Sequence, residues 1–417
     1  MSAIYVVGVG MTPFGKFLEK SIKDLTREVV GATLADAGIE REAIEAAFFA
    51  NASQSAMEGQ FMVGGEVALR AAGIQGIPVA NVENACASAS TAFHLAYAYL
   101  KAGLGEVAIA VGAEKMYDKD KTKSFAVFNG AWDVHDVEGT TLRLMRLGDG
   151  LDPPPGRGAD ANMRSVFMDV YAALARHHMK AFGTTERQLA AVAAKNHRHS
   201  ALNELSQYRN EMSVDEVLAA RMISWPLTLP MCAPISDGAA AAILVREEAL
   251  DRFDRSRAVK LCASVLASGS DRGPDEIEKH ICRRAAVKAY EAAGLGPEDM
   301  SVAEVHDASA FAEVLQVENL GFCDFGDGGR LAERGDISLG GRIPVNPSGG
   351  LESKGHPIGA TGLGQIYELV LQLRNEAGRR QVEGARFAIA ENGGGFHGYE
   401  EAAACITILG RADGARA

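Results

Sequence analysis

The sequence predicts an α/β protein made of two similar halves. Short apolar runs alternate with segments of helical periodicity and are joined by brief turns. One helix–turn–strand stretch occurs twice, and a single long segment interrupts the rhythm.

In chain order, Ile4 to Val9 reads as a strand, followed by a Gly-rich turn and a helix over Ile22 to Ala37. Ala46 to Ala50 is a second buried strand, and Pro78 to Val82 is extended. A small-residue helix opens at Asn84-Ala85-Cys86 and is stopped by Gly103 and Gly105, and Val107 to Val111 is a central strand. From about 117 to 223 the pattern breaks, with a Pro153-Pro154-Pro155 run and amphipathic helices over Met168 to Lys180 and Glu186 to Asn196. This reads as an inserted cap. The sheet pattern resumes at Ala239 to Val245.

Ala35 to Ser53 aligns without a gap on Glu291 to Ser309, with six identities that include Ala37/Ala293, Gly38/Gly294 and Ala52-Ser53/Ala308-Ser309. Val107 to Val111 before Gly112 is echoed by Phe387 to Ala390 before the Gly393 to Gly395 run. Any two helix–strand units share some likeness, but two correspondences in one order point to duplication. The halves divide into 1–256 and 257–417, and a site at their junction draws loops from both.

The 417 residues are 47% apolar and 23% charged, which excludes disordered and fibrous classes. Forty-two basic against 54 acidic side chains leave −12, which argues against nucleic-acid binding. Six scattered cysteines without a CxxC pair read as free thiols of a reducing compartment. With no membrane-length apolar run and no signal-peptide pattern, the expectation is a cytoplasmic protein.

Cys86 is the first chemical candidate. A thiol at a helix start feels the dipole and unpaired N–H groups, which favour thiolate and can hold an oxyanion; the alternative is a buried structural cysteine. His356 lies in Asn346-Pro-Ser-Gly-Gly-Leu-Glu-Ser-Lys-Gly-His-Pro-Ile-Gly-Ala-Thr-Gly, ahead of a helix over about Leu363 to Asn375. It suits a general base, or else is a surface histidine in a turn. His306, in His306-Asp307-Ala308-Ser309, is a site group or a satisfied core histidine. Glu391 ends an apolar strand before Gly393 to Gly395. Buried, it would have a raised pKa and could carry a proton; otherwise it is a strand-end acid in water. His177-His178 and His197-Arg198-His199 lack ligand-spaced partners and read as solvated helix faces, so no metal is expected. Gly8-Val9-Gly10 misses the dinucleotide fingerprint because Pro13 takes the third glycine position.

Together these motifs resemble the thiolase superfamily from Ala3 to about Gly410. They are Cys86 on its small-residue helix, Pro234-Ile235-Ser236-Asp237-Gly238-Ala239-Ala240, His306-Asp307-Ala308, Gly355-His356-Pro357-Ile358-Gly359-Ala360-Thr361-Gly362, and the Gly393 loop. The His-Asp pair resembles the sterol-carrier-protein-thiolase branch. The resemblance implies a thiolase fold, two five-stranded halves stacked as αβαβα, with a loop domain inserted in the N-terminal half over the CoA ester. It implies a homodimer, Cys86 as acylated nucleophile and His356 as its base. His306 and His356 then build one oxyanion hole, and the backbone N–H groups of Cys86 and Gly393 a second. CoA and acyl-CoA are substrates, with no permanently bound cofactor. Some relatives also work with a small zinc-ribbon/OB-fold protein.

Familiar thiolases place a second cysteine where this chain has Glu391, and the sterol-carrier branch one where it has Ala308. Glu391 is the economical replacement as acid/base; alternatively substrate or water supplies the proton and Glu391 orients His356. The expectation is Claisen or retro-Claisen acyl transfer on a branched, aromatic or sterol-derived 3-oxoacyl-CoA. The competing readings are a retro-aldol lyase on a 3-hydroxyacyl-CoA and a non-catalytic acyl-CoA or sterol binder. Lys354, Lys195 and Arg198 are candidates for the CoA phosphates.

Overall fold

The computed structural model describes residues 2–157 and 166–412. The chain begins with β1 (Ile4–Met11), α1 (Ile22–Ala37), β2 (Ala46–Ala50), α2 (Gln54–Glu58), α3 (Gly64–Ala71), β3 (Val79–Val82), α4 (Ser88–Lys101) and β4 (Val107–Glu114). The inserted region then supplies α5 (Lys121–Ala126), α6 (Val137–Met145), α7 (Val166–Phe182), α8 (Glu186–Ser200), α9 (Val214–Ala219) and a small hairpin, β5 (Met222–Ser224) with β6 (Leu227–Thr228). β7 (Gly238–Arg246) closes the first half. The second half holds β8 (Val259–Ser268), α10 (Ile281–Ala293), β9 (Val302–Glu304), α11 (Ala310–Asn319), α12 (Gly328–Arg334), α13 (Thr361–Arg374), β10 (Phe387–Gly394) and β11 (Ala403–Arg411).

Nine strands pair in the order β3-β2-β4-β7-β1-β8-β11-β10-β9. Parallel pairs at each end (β2 with β3 and β4, β9 with β10) flank antiparallel pairs in the middle. A parallel bridge between Ala303 and Val345 gives the second half a fifth extended segment in the place that β3 takes in the first. Each half therefore runs third–second–fourth–fifth–first. Among the described residues the strands of the two half-sheets pair only between β1 and β8, with Tyr5 opposite Lys260 and Val6 opposite Val259.

α4 and α13 pack on each other and on strands of both halves as the shared inner helical layer, giving the predicted αβαβα layers. Strand alternation makes this possible. On β4, Val107, Ile109 and Val111 face α1 and α3 outside, while Ala108 and Ala110 face α4 inside. Small residues on the inner face and Ala89, Ala92 and Ala96 on α4 let helix and strand approach closely. On the far side α10 and α11 cover the second sheet, and α7 and α8 of the insertion pack with them.

The sequence repeat is visible in the backbone. α1 and α10 both end in a left-handed glycine, Gly38 and Gly294, each at φ 67° and ψ 34°. Each cap bonds back to the last turn, and a short 3₁₀ turn then leads into β2 or β9. Among the described residues the inserted segment contributes no strand to the large sheet.

Candidate functional site

Cys86 lies in the turn between β3 and α4. Ala85 before it adopts φ 49°, a left-handed conformation that costs a side-chain-bearing residue on the order of 1–3 kcal/mol. Ser88 fixes the turn by accepting from the Asn84 N–H at 2.9 Å and donating to the Ala85 carbonyl at 2.6 Å. α4 begins at Ser88, two residues later than the sequence predicts, so the thiol sits ahead of the helix cap. The backbone N–H groups of Gly395 and of Cys86 itself approach the sulfur, but burial outweighs both and pushes the thiol pKa up to about 12. The expected thiolate-favouring helix tip is therefore corrected: the resting group is a thiol. Gly394 packs under this turn, where a Cβ would lie 2.3 Å from the Asn84 carbonyl oxygen.

His356 comes from the second half. Its backbone N–H donates to Ser236 Oγ at 2.9 Å, and Ser236 in turn donates to Gln207. Glu114, at the end of β4, accepts from the Gly359 N–H and so holds the loop against the first half. The His356 ring places Nδ1 2.7 Å from Thr361 Oγ1, and the Thr361 hydroxyl donates its proton to the Pro357 carbonyl at 3.0 Å. Thr361 must then accept from Nδ1–H, which leaves Nε2 with its lone pair. Burial, reinforced by His306, holds the His356 pKa well below the usual histidine value, so the ring is neutral.

His306 follows β9. Its ring meets that of His356 edge-on, with centroids 5.2 Å apart. One ligand-type atom from each of Cys86, His306 and His356 lies within 4.8 Å of the others. His306 is buried yet neither ring nitrogen has a hydrogen-bond partner, so it is not a satisfied core histidine. Burial pushes its pKa down to about 4. The adjacent Asp307 holds the His356 loop through the Leu351 N–H at 2.7 Å.

Glu391 is fully buried, not solvated. Its carboxylate accepts from the His306 backbone N–H at 2.8 Å and from the Cys282 thiol at 3.3 Å. Burial first, and then neighbouring Glu401, push its pKa up to about 8. The raised pKa is as expected, but the carboxyl's hydrogen bonds go to the His306 backbone and Cys282, with none to Cys86 or the His356 ring among the described residues. Gly393 also differs from expectation. It sits opposite Ala404 inside the β10–β11 ladder, whereas Gly395, just past the strand, has the N–H that reaches Cys86.

Two of the three phosphate candidates are corrected. Lys195 is buried against Glu313 at 2.6 Å, and Lys354 against Glu304 at 3.1 Å. Neither reaches a surface. Arg198 is exposed. The histidines read as solvated are mostly core groups: His178 bonds Thr184 and Glu318, and His199 bonds the Asn346 carbonyl and the Leu339 N–H. Thr361, Ser236 and Glu114 are site residues without a sequence-based assignment, although Thr361 and Ser236 stand inside the quoted motifs.

Two family models cover this architecture, the thiolase N-terminal domain over residues 4–218 and a thiolase C-terminal domain-like family over 270–411. The chain belongs to the thiolase family. Sterol carrier protein 2 of Bos taurus is 37% identical over 398 residues, covering 93% of this chain and 69% of that protein. The benzoylsuccinyl-CoA thiolase subunit BbsB of Thauera aromatica is 33% identical, covering 91% of each. Among solved structures, the Ltp2-ChsH2(DUF35) aldolase superposes with a TM-score of 0.75 at 22% identity over 98% of both chains, a likeness of fold. Among the described residues no helix is long and apolar enough to cross a membrane.

Proposed function

We propose that this thiolase-family chain transfers acyl groups through Cys86, making or breaking the C–C bond beside a CoA thioester. The observation that carries this is the convergence of the Cys86 sulfur with the His306 and His356 rings, drawn from both halves of the molecule. With the thiol pKa near 12 and the imidazole neutral, no resting ion pair forms. Proton transfer to His356 Nε2 is coupled to attack on the substrate carbonyl.

In the cleavage direction the thiolate adds to C3 of a 3-oxoacyl-CoA. The C2–C3 bond then breaks, leaving an acyl-cysteine and an enolate. The proton that His356 took from Cys86 is the one the enolate carbon requires, so the balance needs no second acid. CoA thiol then loses its proton to His356 and releases the acyl group. His306, with free ring nitrogens, is placed to donate to the developing oxyanion, together with His356; the N–H groups of Cys86 and Gly395 form the second donor pair. Glu391 acts as a positioning residue for His306.

The acyl group is proposed to be larger than acetoacetyl, in keeping with the loss of both usual second cysteines and with the benzoylsuccinyl-CoA thiolase relative. Edge strand β3 and the exposed Phe61, Met62, Val63 and Val67 beside it support a homodimer through this face. An accessory zinc-ribbon/OB-fold protein is part of the proposal, motivated by the DUF35 complex among the structural neighbours. The test is intact-mass detection of an acyl adduct after incubation with 3-oxoacyl-CoAs. The adduct is expected on the parent chain and absent in Cys86→Ala; an adduct that persists in Cys86→Ala refutes the nucleophile.

A further inference from the structure

We propose that Cys86, His306 and His356 also bind one thiophilic divalent transition-metal ion, with Zn²⁺ as the natural case, and that the ion holds the protein inactive. Binding of the ion requires none of the steps of the proposed acyl transfer, whereas the inactivation rests on that reading. One sulfur and two imidazole nitrogens form a borderline-soft donor set, as in zinc sites with three protein ligands and one open position. Cys86 as a residue is half-buried, not sealed in the core, and three protein ligands leave the fourth coordination position for water.

Geometry and proton placement both permit it. The three donor atoms lie within 4.8 Å of one another, while ligands on a tetrahedral zinc ion are roughly 3.3–3.6 Å apart. Drawing in by about an ångström is a small rotation for His306, whose ring nitrogens are held by nothing. His356 is anchored on the far side, with Nδ1–H on Thr361, the kind of outer contact that orients a metal-bound imidazole. Its Nε2 is then free to donate an electron pair.

A second buried group gives the contrast. His280, Cys282 and Glu401 also place donor atoms within 4.8 Å. There His280 Nδ1 accepts from the Cys282 N–H at 3.3 Å and faces the Asn319 amide nitrogen at 3.2 Å. The proton is thereby confined to Nε2, which points at Glu401 Oε2 at 3.3 Å. His280 therefore offers no lone pair to that group, which is left with a sulfur and a carboxylate oxygen alone, and no ion is expected there. The expected stoichiometry is one per chain.

Binding replaces the Cys86 S–H bond with a metal–sulfur bond and releases one proton to solvent. It occupies nucleophile and base together, so acyl transfer stops until a chelator removes the ion.

The experiment is a Co²⁺ titration of chelator-treated full-length protein, followed through the thiolate-to-cobalt charge-transfer band and the visible bands of tetrahedral cobalt. One equivalent should saturate both. The charge-transfer band should vanish in Cys86→Ser and survive in Cys282→Ser. Thr361→Val should weaken the affinity about 10–100-fold, the usual range for loss of such an outer contact. No charge-transfer band in the parent, a band that survives Cys86→Ser, or a band lost in Cys282→Ser would overturn the inference. Because the readout is optical, cobalt binding without acyl-adduct formation would sink the acyl-transfer reading alone, and the reverse result the metal site alone.

Discussion

Thr361 accepts a hydrogen bond from His356 Nδ1 at 2.7 Å and donates its own hydroxyl hydrogen bond to the Pro357 carbonyl. This chain of two bonds decides which nitrogen of His356 is basic toward Cys86. Thr361→Val keeps the shape and removes the acceptor. A misplaced imidazole proton should lower kcat by about 10–100-fold, equivalent to roughly 1.4–2.7 kcal/mol, with KM little changed. Steady-state kinetics across pH would check it, since purely structural damage would move both constants together.

Cys86 should alkylate slowly in the free protein. With its pKa pushed up to about 12, the thiolate fraction grows about tenfold per pH unit through the whole accessible range. Iodoacetamide labelling followed by peptide mass spectrometry should show a rate that rises without a plateau up to about pH 10. A plateau near neutral pH would show that the thiol is already ionised at rest.

Glu391 and Glu401 are neighbouring buried carboxyls with pKa values raised to about 8 and about 7, burial being the first cause for Glu391 and for Glu401. In the unfolded chain both ionise near the usual 4.5, so between that value and 7 to 8 the folded state keeps protons that the unfolded state has lost. Stability therefore falls as pH rises through this window, by up to about 1.4 kcal/mol per unit for each group. Glu391→Gln should flatten the decline of Tm between about pH 5 and 8. An unchanged slope would mean that the carboxyl is ionised in the fold.

Lys354 and Glu304 form a buried pair at 3.1 Å. Lys354→Ala leaves the carboxylate unpaired and should cost about 3–5 kcal/mol by denaturant titration. Arg198→Ala, at an exposed position, should stay within about 0.5 kcal/mol of the parent.

Gly394 touches the Cys86 turn so closely that any side chain collides with backbone. Gly394→Ala should fold, yet displace Cys86 and reduce acyl-adduct formation at least about tenfold, since small misplacements of reacting atoms are costly. Intact mass and a melting curve measured together would separate lost geometry from lost fold.

Much of this arrangement is legible in the residues. The twin glycine stops at Gly38 and Gly294 mark the duplication because a left-handed helix end leaves a sequence trace. Cys86, His306 and His356 stand out because each interrupts a small-residue or glycine-rich context. What is hidden depends on distant partners. Lys195 and Lys354 look like solvent-facing cations until Glu313 and Glu304, more than a hundred and about fifty residues away in sequence, are seen to enclose them. Glu391 announces burial by its strand but not the direction of its carboxylate. β8 is obscured because Lys260, Cys262 and Ser264 break its apolar run, although it is the strand that joins the halves.

That seam spans only two residue pairs, and α4 and α13 are wedged behind it. The histidines and the thiol are thus borne by opposite halves that share one short sheet seam and one buried pair of helices. Moving one half against the other would break into that shared layer, so room for a bulky guest is expected from the loops around Cys86 and not from a hinge between the halves.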